Sequence, residues 1–387
     1  MEFNSCSEPT VGVEWELQLV DAKSLDLFDG ILPLMEFFPD SDFVKPEYIQ
    51  SCVELTSRVS NTSDAAVAHI KQSLSRIMQR CHELGMGVCG AGTHPFCRRL
   101  ALITPTSRYM RLEKNAGHLA HRQITFSTHV HIGMRSGNEA IRAMSRLIPA
   151  LPAFIALSAN SPFWRGHQTG HAAYRHRILA AASQYGLPVA LGDWASFSRF
   201  YRAALKSGMT RDFKDIHWDI RPRPGFGTLE IRTMDAVSNL RTLRALVAFT
   251  RAITVCMARS ASEEVRRVLP LELPVWIEKE NCYRASHCSL KAEFIYNEKG
   301  ECRPLRGLVE DLINFCKPVA HDLGETDNLE LARQILIDEP AYSRQLKTYA
   351  KSRSVHAVAE DLKSQLLRVK HYESENLREN SSLPSFS

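Results

Sequence analysis

Along residues 11–19 the apolar side chains fall on every second position. Val11, Val13, Trp15, Leu17 and Leu19 share one parity, while Gly12, Glu14, Glu16 and Gln18 hold the other. Side chains in a strand point alternately to opposite faces, so this spacing predicts a strand with one buried and one polar face. Three further stretches repeat the device. In 48–56, Ile49, Ser51, Val53 and Leu55 oppose Gln50, Cys52, Glu54 and Thr56. In 123–133, Phe126, Val130 and Ile132 oppose Thr125, Ser127, His129 and His131, and in 228–234 Leu229 and Ile231 oppose Thr228, Glu230 and Arg232. The apolar run MGVCGAG (86–92) predicts a fifth strand.

Between these stretches the period changes. Ile70, Leu74, Ile77, Cys81 and Leu84 recur at spacings of three and four, with Asn61, Thr62 and Ser63 available as N-caps and Gly85 as the stop. Segments 138–158 and 239–260 read as apolar helices, the first interrupted at Pro149 and Pro152. Helical patterns return at 328–337 and 355–370. Strands with one polar face, interleaved with long helices, imply an α+β fold in which an antiparallel sheet is packed by helices on a single side. No repeat or Pro/Gly/Ser-rich linker divides the chain before its end, which predicts one domain over 1–370, and the polar composition of 371–387 predicts a disordered tail.

Composition narrows the functions. The chain has 387 residues, 44% hydrophobic and 24% charged, in the ordinary globular range. A net charge of +5 suits an anionic small molecule and is far short of a nucleic-acid-binding footprint. No apolar run approaches the roughly 18 residues of a membrane span, so no membrane partner is expected. The first residues lack a basic segment followed by an apolar one, which leaves the cytoplasm as the expected location. The ten cysteines show no CxxC pair and read as reduced thiols, not as a disulfide framework or a structural zinc site. Neither a GxxxxGK[ST] nor a GxSxG motif is present, and the single GxGxxG (85–90) follows a helix and opens a strand, the reverse of dinucleotide-binding order. Any nucleotide phosphates must therefore be held by metal carboxylates and arginines.

Glu14 and Glu16 project from one strand face roughly 6.6 Å apart, a spacing that serves neighbouring sites for hard cations. Glu54, His131 and Glu230 on other strands complete such a face. Glutamate is disfavoured in strands, so four strands carrying charged or imidazole groups opposite their apolar sides argue for a lined cavity. His129 and His131 form an HxH pair, a pattern also found in metal-dependent hydrolases, but spacing assigns no third ligand. His167, His171 and His176 read as loop or surface residues.

Six blocks carry a family resemblance: GVEWELQLVD (12–21), VKPEYIQSCVELT (44–56), CGAGTHPF (89–96), THVHIGM (128–134), IHWDIRPRPGFGTLEIRTMD (216–235) and ENCYRASHCSL (280–290). In order and spacing, from about residue 10 to 370, the chain resembles the type 2 glutamate–cysteine ligases, the bacterial carboxylate–amine ligases. The resemblance implies a catalytic domain like that of glutamine synthetase and the guanido kinases, a curved antiparallel sheet forming a funnel with helices on its outer face. It also implies ATP and Mg²⁺ (or Mn²⁺) as cofactors, with glutamate and an amine such as cysteine as substrates. By residue, it matches Glu14, Glu16, Glu54, His131 and Glu230 to metal binding and pairs Glu230 with Arg232.

The expected reaction is transfer of the ATP γ-phosphoryl to the glutamate γ-carboxylate, then displacement of phosphate by the amine. Arg232 and Arg221, the latter in the DIRP segment read as a loop, are the candidates to stabilise the transferring oxygens, with an Arg221–Asp219 pair as the alternative for Arg221. His94, Arg108, His129 and Arg284 are the candidate substrate contacts. Gln50 stands where relatives are sometimes acidic, and Cys282 with Tyr283 replaces a more usual basic or aromatic pair, which bears on amino-acid specificity. A homodimer is left open. The competing readings are a ligand-binding homologue without turnover and an HxH metal-dependent hydrolase.

Overall fold

The computed structural model describes residues 1–182 and 184–367. Among them, seven strands form one antiparallel sheet: β1 (Val11–Asp21), β2 (Val44–Pro46), β3 (Cys52–Thr56), β4 (Met86–Cys89), β5 (Ser127–Gly133), β6 (Ile220–Arg223) and β7 (Thr228–Asp235). Their order is β6-β7-β5-β1-β3-β2, and β4 pairs with the far end of β1. The expected α+β architecture is the one observed, and the expected tail lies outside the described residues.

The period-two pattern of β1 sets the layers. Val11, Val13, Trp15, Leu17 and Leu19 are buried, as are Val53 and Leu55 of β3, Val130 and Ile132 of β5, and Leu229 and Ile231 of β7. Helices Ser63–Glu83 and Leu240–Arg259 join the same core. Fully burying one such aliphatic side chain contributes about 1.5–3 kcal/mol. Thr62 caps the first helix by accepting from the Ala65 N–H, and Gly85, at φ 71°, follows its end, as the sequence implies. Asn239 caps the second through the Thr242 N–H at 2.8 Å. Glu325, fully buried, accepts from the Ser63 N–H at 2.7 Å and from Arg251 at 2.9 Å, tying the two helices to the start of helix Thr326–Asp338.

Three differences from the sequence reading matter. The 48–56 strand begins only at Cys52, because Ile49 bridges to Ile103 and the Gln50 N–H donates to Leu102 O, pulling that stretch away from β1. The DIRP segment is strand β6, not a loop, and β2 and β6 were hidden by their shortness and by Pro46 and Pro222. Both lie at sheet edges, where a residue without an N–H is tolerated. Finally, Gly137–Ser158 is long and apolar enough for a membrane span, contrary to the expectation that no segment would be. It is broken at Ile148–Ala150, where Pro149 stands, and lies buried in the core.

Candidate active site

On the face opposite the core, register brings the polar residues together. Glu14 stands across from His129, Glu16 across from Glu54, and Glu230 across from His131. Glu14, Glu16, Glu54 and His129 open onto a cavity of about 940 Å³, and His131 and Glu230 are buried next to them. Arg108, from helix Ser107–Ala116, and Arg175, from helix Tyr174–Leu179, wall it, together with Tyr185 and His217.

The ionisable groups fall into two sets of three whose ligand atoms lie within 4.8 Å of one another: Glu14 with His131 and Glu230, and Glu16 with Glu47 and Glu54. The sets differ in charge balance. Glu14 bonds His129 Nδ1 at 3.0 Å and His131 Nε2 at 3.2 Å. Glu230, fully buried, is held by Arg221 at 2.8 Å, Arg223 at 3.3 Å and Arg232. Burial pushes both carboxyls up, but for Glu14 the charge of His131 with hydrogen bonds from His129 and His131, and for Glu230 the charges of Arg221 and Arg232, outweigh it. Both end well below the usual carboxylate range.

In the second set, burial and mutual repulsion outweigh the nearby Arg108, Arg175, Arg232 and Lys45. Burial and the charge of Glu47 push Glu16 up to about 7, burial raises Glu47, and burial with the charges of Glu14, Glu47 and Glu16 lifts Glu54 well above the usual range. Like charges directly opposite across a ladder are destabilising. Three carboxyls gathered this way offer ligand oxygens to which a cation could bind.

Guanidinium groups surround the acids. Burial, then the charge of Arg232, lowers Arg221 to about 10, while Glu230 and Glu14 raise Arg232 against the effect of burial. The Arg175 guanidinium donates only to the carbonyls of Thr233 and Arg232, and its buried Nε has no partner. Such a group suits an anionic ligand. His129, lowered to about 4 by burial and then by Arg232, is a neutral imidazole whose buried Nε2 is unpartnered and 4.0 Å from Glu16.

Glu14, Glu16, Glu54, His129, His131, Glu230, Arg221, Arg232 and Arg108 are thus brought together. Two expected contacts are not. His94 is buried elsewhere, its Nε2 against Leu25 O at 2.9 Å and its Nδ1 accepting from the Cys97 N–H at 3.0 Å, so both nitrogens serve the loop. Arg284 lies outside the cavity on helix Val275–Cys288, paired with Glu280 at 2.8 Å, and Cys282 and Tyr283 share that helix. Arg221 pairs with Glu230, not Asp219, whose carboxylate instead faces His176 at 3.4 Å. His176 is buried, not a surface residue. Sequence reasoning missed Glu47 and Arg175. Glu47 sits in the VKPEYIQ block, just before the stretch read as a strand, and Arg175 in a run inspected for its histidines.

Comparison with known proteins places this geometry. The profile of "Glutamate-cysteine ligase family 2(GCS2)" matches residues 10–368. A protein of Trichormus variabilis named "Putative glutamate--cysteine ligase 2" is 39% identical over 366 residues, 95% of either chain. One of Thermobifida fusca with the same name is 32% identical, covering 89% of this chain and 88% of its own. The crystal structure of glutamate–cysteine ligase from Francisella tularensis in complex with AMP superposes with a TM-score of 0.64 at 11% identity, over 100% of this chain and 97% of that one. The ligase PafA in complex with the ubiquitin-like protein Pup reaches 0.52 at 11% identity, over 91% and 72%. These two structures share the fold. Matched from end to end by the profile and by relatives above 30% identity, the chain belongs to glutamate–cysteine ligase family 2, a family of ATP-dependent carboxylate–amine ligases.

Proposed function

We propose that this chain joins the γ-carboxylate of glutamate to an amine, cysteine in the family's namesake reaction, with conversion of ATP to ADP and phosphate. The observation that carries the reading is the cluster Glu16, Glu47 and Glu54, held together against its own repulsion beside a wall of arginines. The donors of the two sets, five carboxylates and one imidazole, fit Mg²⁺ or Mn²⁺ better than zinc. Held there by these residues, such cations would supply the positive charge that neutralises the ATP phosphates.

The chain's own groups do the rest. Arg232 and Arg221 are fixed on Glu230 and offer preorganised positive charge where the γ-phosphoryl group transfers. Arg175 supplies an unpaired cation for a substrate carboxylate, and Arg108 lines the cavity from the opposite helix. The γ-carboxylate attacks the γ-phosphorus and ADP leaves; the amine then attacks the acyl carbon of the acyl phosphate and inorganic phosphate leaves. His129 stays neutral and offers a hydrogen bond without adding charge. One domain over 1–370 in the cytoplasm, where ATP and free amino acids are held, is part of the proposal.

The test is ADP release from ATP and Mg²⁺ with an amino-acid panel, and mass spectrometry of the product. Release that requires both glutamate and an amine is expected. No release under any combination would identify a binding homologue, and product without ATP would identify a hydrolase.

A further inference from the structure

Phe163–Trp164 and His167–Gln168 pair as a small antiparallel hairpin with Trp164 opposite His167. Its two tip residues, Arg165 and Gly166, both have positive φ, 52° and 86°. A two-residue tip with left-handed backbone at both positions favours Asn-Gly, so an arginine is held here against its conformational preference. It is held by its side chain. Arg165 Nη2 donates to Arg98 O at 2.9 Å, and Arg98 Nε donates to Arg165 O at 3.2 Å. The Arg98 guanidinium rests against Gly166, 3.2 Å from where a Cβ would stand.

Beside this pair lies a cavity of about 570 Å³, also lined by Arg122, His167, Trp164 and Tyr174. No acidic side chain lines it, and among the described residues Arg98, Arg122 and Arg165 form no salt bridge. Three guanidinium groups, those of Arg98 and Arg122 exposed, line this one opening, and two of them have only carbonyl partners. An anion with several charged oxygens would neutralise them, and arginine meets phosphate or carboxylate in a bidentate fashion. Trp164 and Tyr174, ring centroids 6.3 Å apart, supply an apolar flank. The volume lies in the range of small-molecule sites. None of these residues lines the ligation cavity.

We propose that this cavity is a second ligand site, for a small organic polyanion whose phosphate or carboxylate groups meet Arg98, Arg122 and Arg165 and whose body lies against Trp164 and Tyr174. It does not depend on the ligase assignment. Calorimetric titration of the full chain, freed of metal ions beforehand on a chelating resin, with pyrophosphate and with citrate tests it and decides between phosphate and carboxylate as the charged group. Arg165→Asn converts the tip to Asn-Gly, so the variant should unfold at the same temperature as the wild type or higher and keep its ligase turnover. Its affinity for the bound probe should nevertheless fall about tenfold or more, as loss of a charged hydrogen-bond donor predicts. Failure of both probes to bind the wild type, or wild-type affinity in the Arg98→Ala, Arg165→Asn double variant, would overturn the site.

Discussion

The acid cluster makes Glu16→Gln a variant that should strengthen the metal-free fold while removing its chemistry. Glu16 lies opposite Glu54 in the ladder with Glu47 beside both, and burial with the charge of Glu47 lifts its carboxyl from 4.5 to about 7. In the unfolded chain it titrates near the ordinary value, so the folded protein holds this proton more tightly. The stability gained from it is complete below the unfolded pKa and is lost as pH rises through about 7. The rise from 4.5 to about 7, at 1.36 kcal/mol for each pKa unit, corresponds to about 3 kcal/mol. The Glu16 side chain is only 12% exposed, so solvent screening removes little of this. Glutamine keeps the shape, can still accept from the Ser127 N–H now bonded at 2.6 Å, and has no proton to lose. In EDTA, the variant should match the wild type near pH 4 and exceed it by about 3 kcal/mol near pH 8, read by urea denaturation. Added Mg²⁺ should narrow or reverse the gap, because the wild type alone presents all three carboxylates. A difference between the two proteins that stays constant from about pH 5 to 8 would refute the electrostatic reasoning.

Glu14→Gln should keep the far-ultraviolet circular dichroism of the wild type yet lose ADP release by roughly a hundredfold or more, since several kcal/mol of charge stabilisation depend on the carboxylate; wild-type release would remove Glu14 from the site. EDTA should silence the enzyme, and Mg²⁺ or Mn²⁺ but not Zn²⁺ should restore it, because the clustered donors are mostly oxygen. Cys52→Ser should retain ligase activity although Cys52 lines the cavity, because burial, with the charges of Glu16, Glu47 and Glu54, raises its thiol well above the usual range and keeps it protonated. A folded, ATP-binding Cys52→Ser protein slowed roughly a thousandfold, about 4 kcal/mol, would instead reveal a thioester route.

The strands that build the site were legible because one face of each is mostly apolar. The alternation in β1, β5 and β7 gave both the layer order and the side on which Glu14, Glu16, His129, His131 and Glu230 lie. Where pairing deviates from one continuous ladder, the pattern misleads. Residues 48–50 alternate like a strand but bond to the 102–104 segment, and this sets Glu47 facing Glu16 and Glu54. Arg175 reaches the cavity from a helix of six residues, too short for a periodicity signal. His94 and Arg284 sit in blocks typical of the family, yet their partners are a loop carbonyl and an i−4 glutamate, which block identity does not disclose.

Strand β1 carries the core and the chemistry on the same backbone, one on odd positions and one on even. Substitution can therefore explore either face separately, but loss or gain of a single codon between Val13 and Leu17 would exchange them, sending carboxylates toward the helices and a tryptophan into the cavity. Length changes during divergence are expected to be confined to connections outside the ladder, such as 90–126 and 134–219, which also supply the cavity's helical walls. Relatives should then differ most in length in the helical walls of the cavity and least along the carboxylate-bearing strands.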